Sequence, residues 1–219
     1  MMKNKYKNVF LVAMGYEIKN IFEPLGFRKT EKQLPYGVWE KDINLVIDTG
    51  VSKTNAAGGT QWAIDSYQTE RWINVGLCGS LKKSFRPREV IEISECRFYD
   101  IDNRSLNSKW KIGQIPGDNS YIFRLMGRRW GLKTAKIITG DQFITDKTKL
   151  KEIINEYKPD LIDEEAAAIA KILKNNKQLD RLTIFKVVSD NADENASDDF
   201  SKTEGLFDKA KDVIKALLG

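Results

Sequence analysis

Residues 183–193, TIFKVVSDNAD, run from an apolar, β-branched stretch directly into a serine and two aspartates. This pattern is typical of a buried strand that ends in a polar turn. The same pattern recurs in LVIDTGVS (45–52), WINVGLCGSL (72–81) and AKIITGDQFITD (135–146). Because the carboxyl ends of parallel strands border the ligand crevice of an open α/β sheet, the four turns predict a shared small-molecule pocket.

Segments with helical periodicity lie between predicted strands and after the last of them. They are KTKLKEIINEY (147–157), EEAAAIAKILKNN (164–176) and the last stretch, Glu204–Leu218, which carries one apolar face. Strands that alternate with helices predict an α/β fold with a mostly parallel sheet covered on both sides. We find no repeat or linker and expect a single domain over residues 1–219. Residues 99–129 have weak periodicity and are predicted to form a long excursion at the rim of the sheet.

The composition excludes several classes of protein. A hydrophobic content of 41%, with five Trp and ten Phe, indicates a folded chain, and no stretch has the roughly 20 apolar residues of a membrane span. Two cysteines, Cys78 and Cys96, are too few for a disulfide scaffold and favour the cytoplasm. The absence of histidine excludes Ser-His-Asp catalysis and nearly all zinc chemistry. The sequence indicates no metal or organic cofactor.

The net charge of +5 does not by itself indicate a nucleic-acid binder. Basic clusters at Lys82–Arg88 and Arg124–Arg129 are interspersed with acidic residues and accompany no nucleic-acid motif, which favours a solvated basic face. An anionic small substrate is the second interpretation. Dinucleotide and nucleoside-triphosphate sites are not expected, because neither G-x-G-x-x-G after the first strand nor G-x-x-x-x-G-K-[ST] occurs.

Eight short motifs, in order along the chain, carry a family resemblance. They are VAMGYEI (12–18), DTGVSKTNAA (48–57), INVGLCGSL (73–81), RFYDID (97–102), GQIPG (113–117), TGDQFI (139–144), IDEEAAAIA (162–170) and VVSDNAD (187–193). With them the chain resembles the nucleoside phosphorylase superfamily, and within it the 5′-methylthioadenosine/S-adenosylhomocysteine nucleosidases. The resemblance implies a twisted, mixed central sheet flanked by helices, a homodimer, and cleavage of the N-glycosidic bond of a purine nucleoside. A phosphorylase and a catalytically silent nucleoside-binding module are the competing hypotheses.

The resemblance implies two catalytic carboxyl groups. Asp190, in SDNAD, matches the acid that protonates the departing base, a role that partial burial favours because it raises a carboxyl pKa. The competing interpretation of the acidic run 190–199 is a solvent-facing turn or a metal site. Glu17 matches the glutamate that activates water, and its alternative is an ordinary polar residue of the first helix. A carboxylate at this position would repel phosphate, which favours hydrolysis over phosphorolysis.

Further residues match the family's substrate contacts. Glu165 matches the glutamate that accepts hydrogen bonds from the ribose 2′- and 3′-hydroxyls, although an acid at a helix start is also expected there. Phe143 would stack on the base and the backbone of Ile144 would bond to it. Val51 and Phe200 match apolar positions near the 5′ substituent, or are ordinary core. The other predicted contacts are Met14, Cys78, Gly79, Glu164, Lys186 and Ser189.

Four positions depart from the family pattern. Glu164 stands where the family usually has Met, Leu77 where a serine would help hold the water, Lys186 where an arginine lies near the nucleophile, and Tyr99 where a histidine is usual. Lysine keeps the positive charge but lacks the planar donor fork of arginine. These changes predict the same reaction class with altered pocket walls and a shifted substrate.

Overall fold

The computed structural model describes residues 4–126, 130–193, 196 and 205–219. Within these residues ten strands form one continuous sheet. The strands are β1 (Asn4–Val12), β2 (Arg28–Lys29), β3 (Gly37–Lys41), β4 (Asn44–Asp48), β5 (Tyr67–Ser80), β6 (Val90–Phe98), β7 (Phe123–Arg124), β8 (Thr134–Thr139), β9 (Leu161–Asp163) and β10 (Leu182–Asp190).

The helices of the described residues lie between these strands and after the last of them. They are α1 (Gly15–Glu17), which continues as a π-turn (Ile18–Phe22) and a 3₁₀ turn (Glu23–Leu25), α2 (Lys53–Ser66), α3 (Lys151–Tyr157) after a 3₁₀ turn (Lys147–Leu150), α4 (Ala166–Asn175), a 3₁₀ turn (Leu179–Arg181) and α5 (Asp208–Leu218). None of the helices in this part of the chain is both long enough and apolar enough to cross a membrane.

The long strand β5 organises the sheet. Its first half pairs with β1, its second half pairs with β10, and its last two residues pair with β9. Since β10 also pairs with β6, β6 with β8 and β8 with β9, these five strands close on one another, while β4, β3 and β2 extend the sheet beyond β1. This closure brings the ends of β8, β9 and β10 next to the end of β5.

The sheet is mixed, as the family resemblance predicts. Half of the pairings between the described strands are parallel and half are antiparallel. The alternation of strands and helices predicts a mostly parallel sheet, and this prediction is correct for only half of the pairings. One reason is the hairpin β3–β4, whose two-residue connection contains Asp42 in the left-handed region (φ 51°). A connection this short permits only antiparallel pairing.

Strand β1 separates two apolar layers. Val9 and Leu11 face the layer that contains α2 and α4, whereas Phe10 and Val12 face the layer that contains the π-turn and α5. Successive side chains of a strand point to opposite faces, so an uninterrupted apolar run becomes buried on both. The alanines of α4 are buried in the first layer and allow this helix to lie close to the sheet.

Two predicted helices differ from the observed ones at their starts. The segment 147–157 begins as a 3₁₀ turn, with Asp146 accepting a hydrogen bond from the amide of Thr148, before α3 starts at Lys151. The last helix begins at Asp208 rather than at residue 204, which lies outside the described residues. Leu206 and Phe207 are buried although they precede the helix, because they pack in the same layer as α5.

Candidate active site

A cavity opens where the ends of β1, β8, β9 and β10 meet the last part of β5. Eleven of the thirteen predicted site residues line it, and these are Met14, Glu17, Val51, Cys78, Gly79, Phe143, Ile144, Glu164, Glu165, Ser189 and Asp190. Six further lining residues are not among those thirteen, namely Ala13, Leu77, Gln142, Ile162, Asp163 and Ala192. Each of the four segments that the sequence predicts to meet, 45–52, 72–81, 135–146 and 183–193, contributes to the wall. The contribution of 72–81 comes from inside β5, because this strand continues to Ser80 beyond its predicted end.

Asp190 ends β10 at an irregularity in the strand's register with β5, between Val188 and Asp190. Its side chain is buried, and Oδ1 accepts a hydrogen bond of 2.8 Å from the amide of Ala192. The Ser189 hydroxyl lies 2.6 Å from Asp190 Oδ2 and 3.1 Å from the carbonyl oxygen of Cys78. A hydroxyl carries one proton, so a protonated Asp190 can donate to Ser189 while Ser189 donates to the carbonyl. The arrangement accommodates the acid form of this carboxyl group.

Glu17 lies at the end of α1 and reaches across to β5. Oε1 accepts a hydrogen bond of 2.8 Å from the amide of Leu77, and Oε2 accepts one of 3.0 Å from the amide of Met14. Burial raises the pKa of Glu17 to about 7, although Lys186 and the two amides lower it. A carboxylate with a pKa near neutrality is suited to act as a general base.

Glu165 follows β9 and is buried in the cavity wall. Oε1 accepts a long hydrogen bond of 3.4 Å from the amide of Ser52, and Oε2 lies 3.6 Å from the ammonium nitrogen of Lys186. Burial raises the pKa of Glu165 to about 8; Lys186 opposes this rise, and the neighbouring carboxylates of Asp163 and Glu17 add to it. Because both contacts are long, the two carboxylate oxygens of Glu165 can still accept hydrogen bonds from the hydroxyl groups of a diol.

Lys186, a predicted substrate contact, does not line the cavity. Its side chain is completely buried behind the wall, with Nζ 2.7 Å from Asp163 Oδ2. Asp163 itself does line the cavity, and sequence reasoning missed it. Its position as the last residue of β9, in LIDEE, was the available signal. Phe200, predicted near the 5′ substituent, lies outside the described residues.

Glu164 lines the cavity as a half-buried carboxyl group. Burial raises its pKa, and the negative charges of Asp141 and Asp163 raise it further. Glu164 forms no hydrogen bond within the described parts of the chain. An acid therefore stands in the wall where the family resemblance leads us to expect methionine.

The turn after β8 supplies an aromatic side chain at the mouth of the cavity. Phe143 is 50% exposed and Val51 is 41% exposed, whereas Ile144 is buried. Asp141 accepts a hydrogen bond of 2.7 Å from the amide of Lys53, which ties this turn to the start of α2. Asp141 thus holds this turn in place, and Val51 and Phe143 lie exposed at the mouth of the cavity.

The charged side chains in the wall are all acidic. Among the described lining residues they are Glu17, Asp163, Glu164, Glu165 and Asp190, and no lysine or arginine accompanies them. The basic cluster Lys82–Arg88 and Arg124 do not line the cavity, and Arg128 and Arg129 lie outside the described residues. The described part of the wall therefore offers no positively charged side chain to an anionic substituent or to phosphate.

Comparisons with known proteins show which family the chain resembles. The family model described as "Phosphorylase superfamily" matches residues 7–218. The chain is 27% identical to the 5′-methylthioadenosine/S-adenosylhomocysteine nucleosidase of Buchnera aphidicola, over 94% of this chain and 93% of the relative. It is also 27% identical to the enzyme of the same name from Bacillus subtilis, over 73% of this chain and 76% of the relative.

Solved structures with the same fold include two enzymes of Helicobacter pylori. A mutant of its 5′-methylthioadenosine nucleosidase with 5′-methylthioadenosine in the active site superimposes with a TM-score of 0.86 at 20% identity, over 97% of this chain and 98% of the other. Its futalosine hydrolase superimposes with a TM-score of 0.82 at 22% identity, over 97% of both chains. With the family model matching almost its whole length, the chain belongs to the phosphorylase superfamily.

Proposed function

We propose that this protein is a purine nucleoside hydrolase that cleaves the N-glycosidic bond of 5′-methylthioadenosine- or S-adenosylhomocysteine-like adenine nucleosides. The whole chain, residues 1–219, acts as one domain in this proposal. The observation that carries it is the meeting of Glu17, Glu165 and Asp190 in one cavity whose charged wall residues, among those described, are all acidic. The names of the curated relatives support the same substrate class.

Asp190 acts as the general acid in the proposed mechanism. A purine that leaves as an anion is a poor leaving group, and protonation at N7 removes this obstacle. A hydrogen bond to the Ser189 hydroxyl and one from the amide of Ala192 hold the carboxyl group in one orientation. A positioned acid of this kind contributes roughly 10²- to 10⁴-fold to the rate.

Glu17 activates the attacking water. Its pKa of about 7 lets it be ionised in neutral solution and still accept a proton as the water attacks. Phosphorolysis would instead require the cavity to bind phosphate. The described wall contains no lysine or arginine to bind phosphate, and hydrolysis is therefore the reaction that the described residues support.

Glu165 and the mouth of the cavity hold the nucleoside. A carboxylate at Glu165 can accept hydrogen bonds from both ribose hydroxyls, and its negative charge favours the ribosyl cation that develops as the bond breaks. Phe143 stacks on the base, the backbone of Ile144 bonds to it, and Val51 contacts the 5′ substituent. Glu164 replaces an apolar contact with an acid, which shifts the preferred substituent.

The setting of the enzyme is also part of the proposal. We place it in the cytoplasm, in keeping with two buried cysteines that are both free thiols. We expect a homodimer, in which a second subunit covers apolar side chains that are exposed at the cavity mouth, Val51 and Phe143.

Incubation of the purified protein with a panel of purine nucleosides, with and without phosphate, tests the proposal. Release of adenine and free 5-methylthioribose without phosphate is the expected result. Formation of a sugar 1-phosphate that requires phosphate would establish a phosphorylase instead. Saturable binding of nucleosides with no release of base would establish a silent binding module.

A further inference from the structure

The ammonium group of Lys186 lies between three buried carboxylates. Its Nζ is 2.7 Å from Asp163 Oδ2 and 3.6 Å from Glu165 Oε2. A Cβ atom placed on Gly76 would lie 3.1 Å from this nitrogen and 3.2 Å from Glu17 Oε1. The ammonium and the Glu17 carboxylate therefore approach the same glycine of β5, and the lysine faces both proposed functional glutamates from behind the cavity wall.

Asp163 is held by two hydrogen bonds in addition to its ion pair with Lys186. Oδ1 accepts a hydrogen bond of 2.6 Å from the Thr139 hydroxyl, and Oδ2 accepts one of 2.9 Å from the amide of Ala166 at the start of α4. The Thr139 oxygen in turn accepts a hydrogen bond of 3.0 Å from the amide of Ala167. The ends of β8 and β9 and the start of α4 thus fix this carboxylate beside the lysine, where it makes the shortest of the lysine's ion pairs.

We propose that Asp163 is a positioning residue that draws the Lys186 ammonium towards itself and leaves Glu17 and Glu165 without a full counter-charge. The inference rests on the proposed function, in which both glutamates act as carboxylates. One cation shared among three carboxylates cannot neutralise all of them, and the nearest carboxylate takes most of the interaction. Asp163 thereby sets how readily the two functional glutamates hold a proton.

The groups that face the two glutamates determine the direction of the effect. Glu165 faces Lys186, Asp163, Glu17 and Glu164. Burial has the largest effect on its pKa; next to burial, Lys186 lowers this pKa and Asp163 raises it. Glu17 faces Glu165, Lys186 and the amides of Leu77, Met14 and Ala13, and the lysine and the three amides lower its pKa against the effect of burial.

Opposite shifts are therefore expected from the two partners of the ion pair. Loss of the charge at Asp163 with Lys186 retained lowers the pKa of Glu165, because a repelling charge is removed and the lysine is released. Loss of the charge at Lys186 raises the pKa of both glutamates. A purely structural role for this ion pair predicts no such opposite pair of shifts.

Asp163→Asn tests the inference through the pH dependence of kcat/KM for 5′-methylthioadenosine. We expect the acid limb to move down by about one pH unit, so that activity at pH 6 relative to the plateau rises up to about tenfold. Thr139→Val is the matched control, since it removes a hydrogen bond to Asp163 but no charge, and its acid limb should stay in place. An acid limb that is unchanged or moves up in Asp163→Asn would overturn the inference.

A second measurement is independent of turnover. Glutamate side chains labelled with ¹³C report their titration by NMR without substrate, and Glu17→Gln and Glu165→Gln identify the two signals. The Glu165 signal should titrate at lower pH in Asp163→Asn and at higher pH in Lys186→Met. If the wild type cleaves no nucleoside but these shifts occur, the proposed function fails and the positioning role stands. If turnover occurs and neither variant shifts the titration, the positioning role fails alone. If Asp163→Asn does not fold, Lys186→Met tests the positioning role, because the Glu165 signal should then titrate at higher pH and an unchanged titration would overturn the inference.

Discussion

Replacing Asp190 by asparagine removes the acidic proton and can preserve the hydrogen bonds to Ser189 and from Ala192. The asparagine Oδ1 can accept the hydrogen bond from Ala192 that the aspartate now accepts at 2.8 Å, and its Nδ2 can donate to the Ser189 hydroxyl. Because both contacts survive, we expect the free energy of unfolding to change by less than about 1.5 kcal/mol, the net value of one hydrogen bond. The variant therefore isolates the chemistry from the fold.

The expected loss of rate follows from the missing general acid. Loss of a positioned proton donor lowers kcat by about 10²- to 10⁴-fold, which corresponds to about 3–5 kcal/mol of transition-state stabilisation. KM should change by less than about threefold, because the proton matters mainly in the transition state. Release of adenine from 5′-methylthioadenosine measures both constants.

A change of leaving group sharpens this experiment. Cleavage of p-nitrophenyl riboside releases p-nitrophenolate, a stable anion that needs no proton to leave, so Asp190→Asn should cleave this substrate at close to the wild-type rate. Asp193→Asn is the matched control, since this residue lies in the same loop outside the cavity wall. A kcat for 5′-methylthioadenosine within about tenfold of the wild type, or an equal loss with both leaving groups, would refute Asp190 as the acid.

Four further results are expected. Glu17→Gln should lower kcat by about 10²- to 10⁴-fold and spare substrate binding measured by calorimetry, because an amide cannot take a proton from water; rescue by phosphate would favour a phosphorylase. With pKa values of about 7 for Glu17 and about 8 for Glu165, kcat/KM should fall as the pH drops below 8, tenfold or more per unit below 7, and a flat profile from pH 6 to 9 would contradict this. Glu164→Met should raise kcat/KM for 5′-methylthioadenosine by about fivefold. In the wild type, the apolar substituent of the substrate would cover the Glu164 carboxyl group and deprive it of water, at a cost of about 1 kcal/mol that methionine avoids. Unchanged kinetics would show that Glu164 does not contact the substrate. Gly140→Ala should lower the free energy of unfolding by about 1–3 kcal/mol in urea titrations, because its Cβ would lie 2.6 Å from Tyr99 Cζ and 2.9 Å from Asp100 Cγ, and wild-type stability would show that Tyr99 moves aside freely.

Local pattern in the sequence predicts the elements and the edge of the sheet where the cavity lies. The apolar run in β1 is buried on both faces, and each of the four segments predicted to end a strand contributes to the cavity wall, although the one at 76–80 is part of β5 and not a turn. Both results depend on neighbouring residues alone, since the side-chain period of a strand and the turn residues that end it are local properties. The family resemblance further predicts which carboxyl groups line the cavity, because Glu17, Glu165 and Asp190 each stand in one of the eight motifs that carry it.

The tertiary structure alone decides the charge environment of those carboxyl groups. Lys186 is a substrate contact by its motif but pairs with Asp163 behind the wall, and Glu17 is held by an amide 60 positions further along the chain. The raised pKa values of Glu17 and Glu165 come first from burial, which exists only once the ends of distant strands have met. A sequence pattern specifies which side chains are near a turn, but electrostatic interactions depend on distances across the folded sheet and on the water that the fold excludes.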